Sequence, residues 1–219
     1  MVCVIDDLLD RHTVAALYEA AAALPFEDGR RTAGRYARAV KANEQAEPTP
    51  NRQAILDKVR EALDEHPLVR SLARPRAYPR LLVSRYTPGM AYGLHVDDAI
   101  MDGRRTDLSF TLCLSPSDAY EGGELVIDEA LEERAIRLEA GQMVLYPSDT
   151  LHRVAPVTAG ARLAVVGWIT SWVPDAARRA ILFDLDQAAS ALFAAAGPSP
   201  EFARLQRARS NLLRMWAEG

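Results

Sequence analysis

Residues 81–97 read LLVSRYTPGMAYGLHVD, and their pattern is the clearest structural signal in the chain. A β-prone run from Leu81 to Tyr86 is followed by the turn pair Pro88-Gly89 and then by a second run, Tyr92–Val96. Proline presets the φ angle of a turn and glycine accepts a positive φ, so the two runs are expected to be strands joined by a turn. The stretch therefore predicts antiparallel β structure that ends in the triplet His-Val-Asp.

The same alternation of short β-prone runs and turn residues continues as far as Trp172. Many short strands at close spacing, with few helical stretches between them, are typical of an antiparallel sandwich or small barrel. We expect such a core over about residues 79–172. Its eight strands are predicted at Leu81–Tyr86, Tyr92–Val96, Leu108–Leu114, Glu124–Ile127, Ala135–Leu138, Met143–Tyr146, His152–Val154 and Arg162–Ser171.

The segments on either side of this core have the spacing of helices. Residues 26–50 are polar and are expected to form a loop with one edge strand. Asp6 or Asp7 is the expected N-cap of the first helix, which Pro25 ends, and Pro67 marks the end of the second. The predicted helices are Asp6–Leu24, Asn51–Glu65, a helix that starts at Pro174 and ends before Gly197-Pro198, and Pro200–Trp216.

Composition excludes several classes of protein. The chain has 219 residues, 49% of them hydrophobic, and a net charge of −4, which is ordinary for a globular protein and excludes a disordered one. No apolar run approaches the ~20 residues of a membrane-spanning helix, and the acidic opening differs from a signal peptide. Scattered arginine pairs argue against a nucleic-acid surface. Since Cys3 and Cys113 make no disulfide framework, we expect a cytoplasmic protein.

The four histidines limit what a histidine-based site can contain. His12 and His66 lie in helical contexts without a partner, whereas His95 begins the triplet that ends at Asp97. Side chains at positions i and i+2 of a strand share one face, so His95 and Asp97 are expected to converge. With His152 they make the two-histidine, one-carboxylate set that holds Fe(II) and leaves coordination positions open. The alternative is that these histidines are structural.

Arg162 adds a second chemical signal. It opens the run Arg162–Ser171, in which alternate positions on both faces are largely apolar. A guanidinium in such a strand needs an anionic partner, because it cannot be neutralised. A dicarboxylate cosubstrate that chelates the metal through a 2-oxo acid at its other end would supply one. An internal salt bridge is the alternative.

The motifs around these residues extend over most of the chain. They are Arg85-Tyr86, Tyr92-Gly93-Leu94-His95-Val96-Asp97, Arg105-Thr106-Asp107-Leu108-Ser109, Tyr120-Glu121-Gly122-Gly123-Glu124-Leu125, 144–148, 151–154, Pro156-Val157-Thr158 and Arg162. Together they resemble Fe(II)/2-oxoglutarate dioxygenases of the prolyl 4-hydroxylase type and, more narrowly, the bacterial PKHD-type hydroxylases. The resemblance includes the Lys41–Asn43 loop and the helix that contains Asn211 and Trp216.

The resemblance implies a double-stranded β-helix (jelly-roll) core within a dioxygenase domain at residues 1–172, followed by a C-terminal helical extension at 173–219. It implies that His95, Asp97 and His152 ligate iron and that Arg162 binds the distal carboxylate of 2-oxoglutarate. Tyr86 matches a position at which related enzymes place a hydroxyl near the cosubstrate, although a tyrosine that only packs in the barrel is the alternative. No catalytic residue is expected beyond the metal ligands.

The implied reaction consumes O2 and 2-oxoglutarate, releases succinate and CO2, and hydroxylates a substrate, while L-ascorbate helps to keep the iron as Fe(II). Relatives that halogenate lack the carboxylate at the position of Asp97, so its presence points to hydroxylation or another oxidation. The resemblance suggests a small-molecule or peptidyl substrate without identifying it. The C-terminal helices are expected to cover the barrel or to join two copies in a homo-oligomer.

Two other functions remain compatible with the residue pattern. A zinc hydrolase or isomerase would use His95, Asp97 and His152 around a metal-bound water. That chemistry gives no reason for Arg162. A non-catalytic β-barrel binding protein would carry the same histidines as structural residues and would bind no metal.

Overall fold

The structure, a computed structural model, describes residues 2–32, 34–129 and 131–218. The strands in these residues are β1 (Cys3–Ile5), β2 (Phe26–Asp28), β3 (Lys41–Ala42), β4 (Glu44–Ala46), β5 (Pro75–Ala77), β6 (Leu81–Tyr86), β7 (Ala91–His95), β8 (Ile100–Met101), β9 (Arg104–Arg105), β10 (Leu108–Cys113), β11 (Tyr120–Gly122), β12 (Leu125–Asp128), β13 (Glu133–Ile136), β14 (Met143–Pro147), β15 (His152–Val154), β16 (Val157–Gly160) and β17 (Arg162–Ser171). The α-helices are α1 (Arg11–Ala22), α2 (Ala37–Val40), α3 (Pro50–Glu65), α4 (Pro67–Leu72), α5 (Ala176–Ala196) and α6 (Pro200–Trp216).

Two antiparallel sheets form the centre of the molecule. The large sheet has the order β1-β14-β10-β17-β6-β4-β2, with β5 paired to β17, and the small sheet has the order β13-β12-β15-β7-β3. One hydrophobic cluster fills the space between them and contains Cys113 and Val144 from the large sheet and Leu125 and Ile127 from the small one. All eight predicted strands are present, with ends that differ by at most two residues.

A second cluster joins the other face of the large sheet to the helices. Leu163, Val165 and Ile169 of β17 belong to it, together with Val14 of α1 and Val59 of α3. Because side chains alternate along a strand, the opposite face of β17 is left to line the space between the sheets. The two faces predicted for this strand are therefore confirmed.

The first helix starts later than predicted. Asp10, rather than Asp6 or Asp7, caps α1, because its side chain accepts hydrogen bonds from the backbone N–H groups of His12 and Thr13. The second helix ends at Glu65, as predicted, and Pro67 also begins the short helix α4 at its first helical position.

Residues 26–50 are not a loop with one edge strand. They supply β2, β3 and β4, which extend both sheets: β4 pairs with β6 in the large sheet, and β3 pairs with β7 in the small one. These strands have two or three residues each, too few for an alternating pattern to be visible in the sequence. The sandwich therefore also uses chain that precedes residue 79.

The C-terminal helices are present as predicted, and α5 packs on both α4 and α6. Asp186 of α5 is the polar centre of this contact. It accepts a hydrogen bond from Ser71 at 2.8 Å, forms an ion pair of 2.5 Å with the buried Arg74, and also pairs with Arg209. No helix in the described residues is long and apolar enough to cross a membrane.

Replacing Asp186 with Asn should destabilise the fold strongly. Arg74 is 7% exposed and would lose its carboxylate partner, and an unpaired buried charge of this kind costs about 3–5 kcal/mol. Urea unfolding measures the change, and Asp184→Asn on the same helix is the control because Asp184 is exposed. Equal stability of the two variants would contradict this role of Asp186.

Candidate active site

Three side chains with metal-ligating atoms meet between the sheets. His95 ends β7 and His152 begins β15, and the two residues lie opposite each other in the pairing of these strands. Asp97 follows two residues after His95, so that its carboxylate lies 3.9 Å from His95 Nε2 and 4.0 Å from His152 Nε2. One ligating atom from each residue lies within 4.8 Å of the others. The structure thus brings together the three residues predicted to converge.

Hydrogen bonds orient both imidazoles in the same way. His95 Nδ1 lies 2.8 Å from the carbonyl oxygen of Gly93, and His152 Nδ1 lies 2.9 Å from that of Thr150. A carbonyl oxygen only accepts, so Nδ1 must carry the proton and Nε2 keeps a free lone pair. This tautomer, with a carbonyl behind each ring, is the arrangement that metal-ligating histidines adopt.

The environment of His95 favours its neutral form. Burial, together with the neighbouring His152, lowers the pKa of His95 to about 4, so its imidazole is neutral at physiological pH. Tyr92 stacks on His95 with ring centroids 3.6 Å apart, and the ring of Tyr146 lies 5.0 Å from that of His152. The two tyrosines therefore cover part of each imidazole.

Two serines position the carboxylate. Ser109 Oγ donates to Asp97 Oδ2 at 2.6 Å and lies 2.9 Å from Ser148 Oγ. A hydroxyl has a single proton, so Ser148 is the donor in the second contact. Neither serine was predicted to belong to the site. In the run Leu108–Leu114, however, polar Ser109 and Thr111 alternate with apolar neighbours and so mark the face turned to the site.

Replacing Ser109 with Ala should weaken Fe(II) binding by about 10–100-fold, as loss of a group that orients a metal ligand does elsewhere. The reason is that Asp97 would lose the donor that fixes its orientation. Anaerobic titration with Fe(II) measures the effect, and Ser190→Ala on the exposed side of α5 is the control. Unchanged Fe(II) affinity in Ser109→Ala would show that Asp97 needs no such support.

Arg162 is buried without an anionic partner. Its side chain is 4% exposed, and no described residue forms an ion pair or a hydrogen bond with its guanidinium. The internal salt bridge considered above is therefore absent from the described part of the chain. A buried guanidinium is costly unless an anion pairs with it, so this position fits a ligand carboxylate.

Gly123 makes room for this arginine. It has a φ of +71°, and a Cβ at this position would lie 2.9 Å from Arg162 Cδ. Only glycine tolerates both the backbone angle and the close approach without a shift of its neighbours. The Gly122-Gly123 pair, which the sequence showed only as a turn, therefore also shapes the space that Arg162 occupies.

Tyr86 lies directly opposite Arg162 in the pairing of β6 with β17. Its ring centroid is 5.6 Å from Arg162 Cζ, and burial raises the pKa of its hydroxyl to about 12. The hydroxyl is therefore protonated near neutral pH and is able to donate a hydrogen bond to an anion beside the guanidinium.

A pocket of about 730 Å³ that opens to solvent lies beside the His95–Asp97–His152 cluster and extends to Tyr86, the strand partner of Arg162. Residues of both sheets line it, among them the three residues of the cluster, Tyr86, Lys41 and Trp168. A mononuclear Fe(II) fits the donor set, because the set offers two free imidazole nitrogens and one carboxylate and leaves the pocket side open. An unpaired arginine on the same strand face as Trp168 fits a cosubstrate carboxylate.

Family models match almost the whole second half of the chain and part of the first. The model of the 2OG-Fe(II) oxygenase superfamily matches residues 81–170, and that of the PKHD-type hydroxylase C-terminal domain matches residues 175–218. Together the two matches contain His95, Asp97, His152, Arg162 and both C-terminal helices.

Curated relatives match over nearly their full length. A PKHD-type hydroxylase of Maricaulis maris is 53% identical over 193 residues, which cover 88% of each chain. One from Picosynechococcus is 50% identical over 194 residues, covering 88% of this chain and 89% of the relative. One from Synechococcus elongatus is 48% identical over 223 residues, covering 100% of both.

Solved structures share the fold at low sequence identity. A prolyl-4-hydroxylase of Pseudomonas putida matches with a TM-score of 0.54 at 20% identity, covering 78% of this chain and 92% of that one. A prolyl hydroxylase of Trichoplax adhaerens, in complex with a peptide fragment of hypoxia inducible factor, matches with a TM-score of 0.56 at 17% identity, covering 78% and 83%. These matches confirm the predicted jelly-roll fold. On the strength of its curated relatives, the chain belongs to the PKHD-type hydroxylases of the 2OG-Fe(II) oxygenase superfamily and is a 2-oxoglutarate-dependent hydroxylase.

Proposed function

We propose that this enzyme converts 2-oxoglutarate and O2 to succinate and CO2 and places one oxygen atom on a small-molecule or peptidyl substrate as a hydroxyl group. The observation that carries the proposal is the buried, unpaired Arg162 on the strand face that lines the pocket of the His95–Asp97–His152 cluster. Neither a hydrolytic zinc site nor a binding protein with structural histidines explains that arginine, and no comparison favours either.

In this proposal His95, Asp97 and His152 hold Fe(II), which supplies the activation of O2 and the oxidising chemistry when it is bound. The protein supplies the positioning. Carbonyl groups behind both imidazoles keep Nε2 available, and Ser109 holds the carboxylate of Asp97. Tyr92 and Tyr146 cover the imidazoles and limit the access of water.

Arg162 orients the cosubstrate. Its planar fork of donors matches the two oxygens of the distal carboxylate, which fixes one end of 2-oxoglutarate while the other end reaches the metal side of the pocket. Tyr86 donates a hydrogen bond to the same carboxylate through its protonated hydroxyl. Both residues bind and orient the cosubstrate, and neither transfers a proton.

Of the remaining parts of the proposal, the domain division and the reductant rest on the resemblance to the family, and the location rests on the free cysteines Cys3 and Cys113. Residues 1–172 form the dioxygenase domain and 173–219 its helical extension. L-Ascorbate restores Fe(II) after turnovers that are not coupled to hydroxylation, and the enzyme works in the cytoplasm. The peptide-bound prolyl hydroxylase among the matching structures supports a peptidyl substrate as one of the two classes.

The test is to mix metal-free enzyme with Fe(II) and 2-oxoglutarate without O2 and to record the weak visible charge-transfer band of the chelate. Admission of air should then yield succinate and CO2. A parallel sample with Zn(II) should give neither. Absence of both the band and succinate in the Fe(II) sample, or hydrolytic turnover in the Zn(II) sample, would contradict the proposal.

A further inference from the structure

The chain contains only two lysines among its 26 basic residues, and the two have opposite environments. Lys58 is exposed on α3 and pairs with Glu61 at 2.7 Å. Lys41 is 8% exposed and lines the pocket of the active site. A buried lysine is rare unless its charge is paired, so Lys41 requires an explanation that Lys58 does not.

Lys41 has no anionic partner in the described part of the chain. Its Nζ contacts the hydroxyl of Thr32 at 3.4 Å and lies 5.1 Å from the ring centroid of Tyr92. Asp97 and Asp98 also line the pocket, but neither carboxylate comes within the 4.0 Å of an ion pair with Nζ. A weak hydroxyl contact and one aromatic face do not compensate a buried ammonium group.

Burial lowers the pKa of Lys41 to about 8 and thereby shows the cost of the missing partner. The side chain still carries its charge in most molecules at pH 7. A negatively charged group that enters the pocket would restore the ion pair.

Lys41 and Arg162 belong to different sheets. Lys41 is on β3, the edge strand of the small sheet, where it pairs with Tyr92, which in turn stacks on His95. Arg162 is on β17 of the large sheet, opposite Tyr86. The two unpaired cations therefore lie on different sheets, each beside its own tyrosine.

The other charges of the pocket do not neutralise Lys41. Arg80 is committed to Asp102, with which it forms a two-pronged contact of 2.6 and 3.1 Å. Across the pocket, Trp168 lies beside Ser109 in the strand pairing, and its enclosed indole N–H has no acceptor among the described residues. The Trp168 indole is thus a second donor of the pocket without an acceptor, while Asn43 Oδ1 is an enclosed acceptor without a donor in the described residues.

We propose that Lys41 binds a carboxylate of the primary substrate, so that this enzyme hydroxylates small molecules or peptide ends that carry a free carboxylate near the oxidised carbon. The proposal rests on the proposed function, in which Arg162 already holds the cosubstrate. A single ammonium group balances a single negative charge, which favours a carboxylate over a dianionic phosphate.

The presence of only two lysines makes a direct test feasible. Enzyme labelled with ¹³C at the lysine ε carbons gives two side-chain signals, and Lys58 serves as an internal control. The enzyme is loaded with Zn(II) and saturating 2-oxoglutarate, so that Arg162 is occupied and no turnover takes place. The probes are N-acetylglycine, which has a carboxylate, and N-acetylglycinamide, which has the same shape without the charge.

Increasing concentrations of N-acetylglycine should change the chemical shift of the Lys41 signal until it saturates and should leave the Lys58 signal unchanged. The amide should change neither signal. Lys41→Met should weaken binding of the carboxylate probe on the order of 10- to 100-fold, Lys41→Arg should recover part of it, and Lys58→Met should have no effect. Equal responses of both lysines, equal responses to both probes, or an unmoved Lys41 signal would overturn the proposal.

The affinity for 2-oxoglutarate separates this proposal from the proposed function. Lys41→Met should leave that affinity within about twofold of wild type, because the residue lies apart from Arg162. If Lys41→Met weakened 2-oxoglutarate binding as much as Arg162→Ala does, Lys41 would be a cosubstrate residue and the substrate proposal would fail. If Arg162→Ala had no effect on 2-oxoglutarate, the proposed function itself would fail.

Discussion

The His152→Ala variant should bind no Fe(II) at micromolar concentrations and should form no succinate above background. The substitution removes one of the three ligating atoms that lie within 4.8 Å of one another, and the pocket offers no other imidazole to replace it. The loss of Fe(II) affinity should exceed the ~10–100-fold loss that follows when a group supporting a metal ligand is removed. Anaerobic Fe(II) titration and the visible band with 2-oxoglutarate measure it.

His12→Ala is the matched control for this variant. His12 is an exposed residue of α1, and both its metal content and its turnover should equal those of the wild type. His95→Ala and Asp97→Ala should behave like His152→Ala. Retention of the visible band in any of these three variants would exclude that residue from the metal site.

The core of the site was predictable because its signals are local or periodic. His95 and Asp97 are two residues apart on a strand, and this spacing alone places them on one side. Arg162 stands out because a charged residue opens a strand that is apolar on both faces. His152 was predictable only together with the eight-strand pattern, because the strand that it begins must pair with β7 to place it opposite His95.

The supporting residues were harder to predict because their roles depend on tertiary pairing. Lys41 lies in a strand of two residues, which has no pattern of its own and becomes a strand only through its pairing with β7. Ser148 follows the end of β14, and nothing in the sequence near it indicates that it supports the hydroxyl of Ser109. Contacts of this kind join residues tens of positions apart.

The start of α1 shows the same limit at the level of the fold. Asp6, Asp7 and Asp10 are all good N-cap residues by type. The choice between them depends on β1, which occupies Cys3–Ile5 at the edge of the large sheet and leaves the chain to turn before Asp10. A single sequence does not contain that pairing in a visible form.

Replacing Arg162 should separate cosubstrate binding from folding. In Arg162→Ala the distal carboxylate of 2-oxoglutarate loses a buried charged partner, and such a loss costs about 2 kcal/mol or more, which is roughly 30-fold or more in Kd. Isothermal titration of the Zn(II)-loaded enzyme with 2-oxoglutarate measures the change. Arg207→Ala, at an exposed position on α6, is the control and should match the wild type.

The stability of the metal-free protein should not fall when Arg162 is replaced, although the affinity for 2-oxoglutarate does. Arg162 is 4% exposed and its guanidinium is unpaired within the described chain, so it destabilises the protein when no ligand is bound. Arg162→Met should therefore unfold at the same temperature as the metal-free wild type or at a higher one. Only the wild type should then gain stability when Zn(II) and 2-oxoglutarate are added together, since the gain follows from ligand binding to the folded state. A variant that binds 2-oxoglutarate poorly because it is misfolded would have both a lower affinity and a lower unfolding temperature. Removal of a ligand-binding arginine lowers only the affinity.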